Sequence, residues 1–382
     1  MKKIYYISET PADKDGNGIS YKIYKQMDAL KKGGFDVSYI CVGKKVTSKK
    51  ERVIELASKV IPFFNYQTNL DELDSIQEGS DVYIRYFLSD GKFIHKLKML
   101  KNKKHVGKII IEVPTFPYDG EMQQHIKGYI GLAKDKYNRR KLKKYVDRVA
   151  TFSADQKIWG INTINLSNGV DTNQIFVRKP QNNGDCINML AVAHFGFWHG
   201  YDRMIEGLHR YYSSDRAKRN VKFYIVGYGN NDIEDQYRKM IEKYQLKDHV
   251  FLVGRKQGPE LDYYYNICDL GIDSMGRHRS NVYYNSSLKG KEYLAKGLPI
   301  VSGVKTELDS MPKFQYYFRV PADDSPVDIE SLIEFYDKIY ANKNKAEIAA
   351  KIRDFCVDNF DIDKCFEKVV DCYKENKLSD NQ

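Results

Sequence analysis

Long hydrophobic runs are missing from this chain. No stretch of its 382 residues approaches the ~20 consecutive apolar residues that a membrane-spanning helix requires, so any bilayer contact is expected to be peripheral. The opening Met1-Lys-Lys-Ile-Tyr-Tyr-Ile-Ser8 holds too short an apolar run for a signal peptide. The six cysteines, Cys41, Cys186, Cys268, Cys356, Cys365 and Cys372, contain no C-x-x-C pair. Most lie in apolar contexts, which points to reduced, buried thiols and a cytoplasmic protein. The G-x-G-x-x-G order is absent as well: Gly16 and Gly18 are followed by Tyr21, which gives a dinucleotide site little support. Asp13-Lys-Asp15-Gly-Asn17-Gly18 begins like a calcium loop, but Tyr24 stands at the twelfth position, where a bidentate Glu is required. His194 and His199 have no third metal ligand near them and sit among aromatics, so no metal is expected.

What the chain has in excess is positive charge. Sixty-two Lys and Arg against 51 Asp and Glu leave a net charge of +11, on a chain that also carries thirty tyrosines. Such a balance implies an anionic partner: nucleic acid, a phosphate-bearing small molecule or acidic lipid. The densest tract is 127–148, read as part of a long helix from Glu121 to Arg148 in which Tyr129, Ile130, Leu132, Tyr137, Leu142 and Tyr145 alternate with cations. A basic amphipathic tract can lie on an anionic membrane surface. No nucleic-acid recognition fold accompanies it, and nucleic acid is not expected. A solvated helix face is the alternative.

A hydrophobic content of 42% indicates a folded protein, and the length suggests two domains. In the first half, Lys3 to Ser8, Phe35 to Val42, Asp81 to Phe87 and Lys108 to Val113 read as buried strands, and Val149 to Ser153 as the last of that sheet. Ile19, Ile23, Met27 and Leu30 fall at helical spacing after the Pro11–Gly18 loop, completing a βαβ unit. Ligands sit beyond the C-terminal strand ends of such sheets, which makes Glu112 and Asp119 candidates to face a sugar hydroxyl. In the second half, Ile187 to Ala193, Val221 to Val226, Val250 to Val253 and Cys268 to Ser274 alternate with helices, and Gly227-Tyr-Gly229 is predicted as a tight turn. The expected class is α/β, with two doubly wound sheets. The boundaries are placed at 1–165, with a C-terminal helix at 356–382 packing back on it, and 166–355.

One stretch organises the second half: Asn285-Ser-Ser-Leu-Lys-Gly-Lys-Glu-Tyr-Leu-Ala-Lys-Gly-Leu-Pro-Ile-Val-Ser302. Ser286 and Ser287 can cap a helix and Gly297 can end it. A helix start carries partial positive charge, so Lys289 makes sense there if an anion is shared between the ammonium and free N–H groups. Glu292 follows on the same face. N–H groups, a cation and then a carboxylate match a phosphate followed by a sugar hydroxyl. A surface helix with an ordinary Lys–Glu pair is the alternative.

The order of Leu166-Ser-Asn-Gly-Val-Asp171, Tyr224-Ile-Val-Gly-Tyr-Gly229 and Ser287-Leu-Lys289 through Gly297-Leu-Pro299 resembles retaining glycosyltransferases of the GT-B fold, family four. The resemblance implies two Rossmann-like domains, the first binding an acceptor and the second a nucleotide-sugar. The donor is expected to be UDP- or GDP-linked and the acceptor a glycan or lipid-linked glycan, with no other cofactor. It assigns Glu292 to the ribose, the start from Ser286, Ser287 and Leu288 to Lys289 to the diphosphate, and Gly16 and Gly18 to the cleft. Gly227 is expected near the base or ribose. The family commonly has glutamates eight positions apart, and Tyr284 stands where the first would be. His194 and His199 occupy the places of the usual Arg and Lys, so Arg255, Arg279 and Lys289 are the candidate diphosphate cations. Glu112, Asp119 and Lys289 are the candidate catalytic groups.

Overall fold

The computed structural model describes residues 1–14, 18–44, 47–61, 66–122, 126–215, 217–341 and 343–375. The chain folds as two compact units: unit 1, Met1–Ser167 with Ile362–Gln382, and unit 2, Asn168–Asp361.

Unit 1 is a sheet of β1 (Lys3–Ser8), β2 (Asp36–Cys41), β3 (Asp81–Arg85), β4 (Ile109–Val113), β5 (Arg148–Thr151), β6 (Lys157–Ile158) and β7 (Ile161–Asn165), in the order β2-β1-β3-β4-β5-β7-β6. All pairings are parallel except β6–β7. The strands are apolar on both faces because helices cover both. Ile4, Tyr6, Tyr83 and Ile110 enter one core, while Tyr5, Ile7, Ile84 and Ile111 enter the other. Its helices are α1 (Gly18–Lys32), α2 (Lys49–Val60), α3 (Gly91–Asn102), α4 (Asp119–Met122) and α5 (Ile126–Arg139).

Two sequence expectations change here. The tract from Glu121 to Arg148 is not one helix: α5 ends at Arg139, and only a 3-10 turn, Leu142–Lys144, precedes β5. Leu142 and Val146 are buried, which turns the chain inward toward the sheet. Nor is β5 the last strand, since β7 pairs with it through Thr163, Ile164 and Asn165. The amide of Asn165 fixes that extension by donating to Ser153 O and Asp155 O, each at 2.8 Å.

Unit 2 is wholly parallel: β8 (Cys186–Phe195), β9 (Asn220–Gly229), β10 (Val250–Gly254), β11 (Leu270–Ile272), β12 (Ile300–Ser302) and β13 (Tyr317–Arg319), ordered β10-β9-β8-β11-β12-β13. Its helices are α6 (Tyr201–Tyr212), α7 (Asn231–Lys243), α8 (Gly258–Ile267), α9 (Leu288–Lys296), α10 (Ile329–Tyr340) and α11 (Lys345–Phe360). The chain builds outward from β8 through β9 and β10, then returns to its other side with β11. That reversal opens a crevice at the C-terminal ends of β8 and β11. The predicted turn at Gly227-Tyr-Gly229 is instead the end of β9, paired with Ala193, His194 and Phe195 of β8. Glycine is needed there for close packing of the strands. A Cβ on Gly227 would lie 1.8 Å from Ala193 O, and one on Gly229 would lie 2.5 Å from the Phe195 ring.

The final helix, α12 (Ile362–Lys374), belongs to unit 1. Its Phe366, Val369, Val370 and Tyr373 share a core with Ile4, Tyr6, Ile23 and Leu30. The Phe366 ring meets Tyr83 edge-on at 5.5 Å, and Tyr373 donates to Val82 O at 2.8 Å. Phe366→Ala should therefore cost about 3–5 kcal/mol, read as a lower denaturant midpoint for unit 1.

Candidate functional site

The start of α9 is held by Asp273, which follows β11 and is 1% exposed. Ser287 caps the helix: its Oγ accepts from Gly290 N at 3.2 Å and donates to Asp273 Oδ1 at 2.9 Å. Lys289 Nζ lies 3.2 Å from the same Asp273 oxygen, 3.1 Å from Ser274 Oγ and 3.4 Å from Tyr201 OH. Burial pushes the lysine below its usual pKa, with Asp273 pulling the other way. The anion that the sequence demands over this helix start is thus already present as a neighbouring carboxylate. Ser286 is buried and holds the approach to the helix, its Oγ accepting from Asn168 N at 2.7 Å. Leu288, half-buried, is the first residue of α9.

Glu292 sits one turn further on and makes no hydrogen bond with any described residue. Burial pushes its carboxyl up to about 7, against the pull of Lys289 and Lys296. A carboxyl left without donors in a polar crevice is the arrangement expected of a group that waits for hydroxyls.

Beside α9, the loops after β8 and β11 meet backbone to backbone. Gly200, at φ 62°, lies so near Gly276 that a Cβ would come within 2.5 Å of the Gly276 nitrogen. Met275 N donates to His199 O at 2.6 Å, and the buried Arg203 donates to Ser325 O at 2.7 Å and Pro321 O at 3.0 Å. His199 is also buried; its Nδ1 accepts from Gly196 N at 2.9 Å. Burial, reinforced by the charges of Lys289 and Arg277, pushes its pKa well below the usual imidazole value, so the ring stays neutral. Asp273, Tyr201 and Arg203 were not singled out from sequence. Asp273 was the legible one, as an acid directly after an apolar strand.

The remaining candidates are dispersed. His194 is exposed at the end of β8, with its ring 4.5 Å from that of Tyr228, its register partner on β9. Gly227 lies at the same strand ends, and Arg255 is exposed just after β10. Arg279 is committed internally: it donates to both Asp202 oxygens at 2.9 and 2.7 Å and to Asp324 at 2.7 Å. Two carboxylates neutralise it, so its role as a spare diphosphate cation is not what the structure displays.

In unit 1, Glu112 is fully buried and accepts from Tyr83 OH and Gln26 Nε2, each at 2.7 Å, and from Arg85. Burial raises its pKa, but Lys22, Arg85 and the donated hydrogen bonds outweigh that and hold it below the usual range. This corrects its expected role: Glu112 is a satisfied core anion and presents no oxygen to a substrate. Asp119 pairs with Arg139 at 2.9 Å and Lys136 at 2.9 Å. Gly18 opens α1 with nothing within 4 Å of an added Cβ, and Gly16 lies outside the described residues. Among the described residues, no group of three or more His, Cys, Asp or Glu could hold a metal ion.

Residues 173–277 match the sequence model of the family described as Glycosyl transferases group 1. No protein of curated function matches the chain. The glycosyltransferase structure of Rickettsia africae ESF-5 is similar over 100% of this chain and 99% of its own, with TM-score 0.61 and 14% identity. A TarM variant from S. aureus, solved with fondaparinux, alpha-GlcNAc-glycerol and UDP, is similar over 98% and 100% of the two chains, with TM-score 0.62 and 12% identity. HepE from Anabaena, solved with UDP and glucose, is similar over 98% and 100%, with TM-score 0.58 and 11% identity. At these identities the fold is what is shared. Residues 173–277 are thus similar to the Glycosyl transferases group 1 family, within an α/β fold of two parallel-sheet, Rossmann-like units.

Proposed function

We propose that this chain is a glycosyltransferase that moves a sugar from a UDP- or GDP-linked donor to a glycan or lipid-linked acceptor, in polysaccharide or glycoconjugate synthesis. The observation that carries this reading is Glu292, a carboxyl without a hydrogen-bond donor, one turn beyond a capped helix start at the switch point of the second sheet. A ribose diol offers the two missing donors. The diphosphate then falls at the α9 N-terminus, where N–H groups and Lys289 meet the charge that builds as the nucleotide leaves. The family match over residues 173–277 and the UDP present in the HepE and TarM structures support a nucleotide ligand.

Transfer proceeds with retention and without a metal ion. The acceptor oxygen forms its bond to the anomeric carbon as the bond to phosphate breaks, and a donor phosphate oxygen takes the acceptor's proton. A binding subunit without turnover is the second reading, favoured by Tyr284 in place of a carboxylate and by the internal match of Lys289 to Asp273. A sugar epimerase would convert the donor with no acceptor present.

A thermal-shift screen across UDP-, GDP-, ADP- and dTDP-sugars should show stabilisation by one base class, because donor binds only the native state. No shift with any of them removes the donor reading. Stabilisation without transfer to any acceptor leaves the binding subunit. Lys289→Ala is expected to lower the melting temperature, because it leaves Asp273 buried without its cation, and also to cut turnover measured where the variant is still folded; unchanged kinetics there would return it to a purely structural pair with Asp273.

Glu292 also sets a pH dependence. Its folded pKa of about 7 lies above the ordinary 4.5, so its stabilising contribution is complete below 4.5 and is lost as pH rises through about 7. Glu292→Gln should therefore gain roughly 2 kcal/mol relative to wild type over that window, measured by urea unfolding across pH. Donor affinity should move the opposite way in the wild type, tightening as the carboxylate ionises. A flat affinity profile in calorimetry, identical in the variant, takes Glu292 out of the ribose role.

A further inference from the structure

Two helices of unit 1 are turned the wrong way for a protein surrounded by water. Helix α2 is secured by a capping box, with Glu51 N donating to Ser48 Oγ at 3.2 Å and Ser48 N to Glu51 Oε2 at 3.0 Å. The face it turns toward the unit is polar. Glu51 accepts from Tyr66 OH at 3.1 Å and Glu55 from Gln67 Nε2 at 2.9 Å, while Ser58 is buried and accepts from Tyr66 N at 3.1 Å. The apolar side chains face solvent instead: Val53 is 66% exposed, Leu56 45% and Ile54 37%, with Ile61 at 40% just beyond the last turn. A surface helix ordinarily shows the reverse.

Helix α5 repeats the inversion in part, since Leu132 is buried but shares the inward face with polar groups. Its Asp135 and Asn138 are buried, with Asp135 accepting from Ser89 N at 2.7 Å and Arg139 at 3.2 Å. Tyr137, Tyr129 and Ile130 are exposed. The two helices pack together, and Lys134 Nζ donates to Ser58 O at 3.2 Å. Seven of the fifteen large apolar side chains exposed among the described residues lie on this pair of helices and their ends. The flanking charge is of one sign. Lys49, Lys50 and Arg52 are exposed at the start of α2, and Arg140, Lys143 and Lys144 follow α5. The acids of α2 are engaged in the hydrogen bonds just described, and Asp135 is buried. Lys141 lies 4.2 Å above the Tyr137 ring.

We infer that this face of unit 1 docks on an anionic lipid surface. Apolar side chains enter the acyl boundary, tyrosine rings sit at headgroup level, and the basic flank meets lipid phosphates. A second copy of the chain fits poorly, because joining two such faces brings two basic flanks together. The basic tract that sequence marks at 127–148 is one half of this surface. The inverted α2, with no long basic run of its own, is the other.

Vesicle co-sedimentation of the full chain tests the inference without depending on the transferase reading. The wild type should sediment with phosphatidylcholine vesicles containing phosphatidylglycerol and stay in solution with phosphatidylcholine alone. Replacing Val53, Ile54 and Leu56 together by Ser should lower partitioning about tenfold or more while leaving the melting temperature unchanged or higher, since these side chains already face water. Tyr129→Ser with Tyr137→Ser should give the same loss from the other helix. Failure of the wild type to bind the anionic vesicles, or equal binding by both variants, overturns the proposal. So does a wild-type dimer that the triple substitution converts to monomer in light scattering. Donor thermal shift on the same preparations separates the two readings: vesicle binding without donor stabilisation removes the enzyme and keeps the surface, and the converse does the reverse.

Discussion

At the C-terminal edge of the second sheet, one Asp273 oxygen receives both the Ser287 hydroxyl at 2.9 Å and the Lys289 ammonium at 3.2 Å. Both contacts are made in a buried setting, where an unpaired member of either charge would cost several kcal/mol. That requirement fixes where α9 begins and how it is rotated. With the first turn fixed, Glu292 has one place to go, and Tyr293 is driven into the core, where its hydroxyl donates to Ile272 O at 3.2 Å. The approach of Gly200 to Gly276 serves the same end from the loops, because any side chain at Gly200 would push the β8 and β11 loops apart.

Two glutamates, one fully buried and one half-buried, show how the chain separates scaffold from chemistry. Glu112 has a tyrosine, a glutamine and an arginine donating to it, and its charge is stable within the sheet of unit 1. Glu292 has cations near it but no hydrogen-bond donor among the described residues, and its charge is costly. The first completes a local network and needs nothing further. The second is an acceptor whose partners must come from outside the fold. Residue type alone does not distinguish them.

Most of the fold was legible because its strands are apolar on both faces, a pattern local enough to read from consecutive residues. The cap at Ser287 and the left-handed Gly297 at the end of α9 were legible for the same reason. What escaped depends on pairing across distance. The glycines at 227 and 229 read as a turn until β8 is placed beside them. Arg279 reads as a free cation until Asp202, 77 positions earlier, accepts from both of its terminal nitrogens. The break after α5 is set by burial of Leu142 and Val146 against a sheet that helical periodicity does not encode, and the inversion of α2 appears only once Tyr66 and Gln67 are known to occupy its polar side.

The return of α12 bears on the order in which this protein acquires structure. Every element of unit 2 lies between Asn168 and Asp361, so its sheet and helices are all available before α12 has left the ribosome. Unit 1 starts first but must wait: Ile4, Tyr6 and Tyr83, partly covered by Ile23 and Leu30 of α1, complete their core only when Phe366 and Tyr373 arrive. Translation from the N-terminus therefore finishes the later unit before the earlier one, the reverse of the usual sequence of domain folding. In the interval α1 covers that face of the first sheet only in part, and α12 is the helix that closes it.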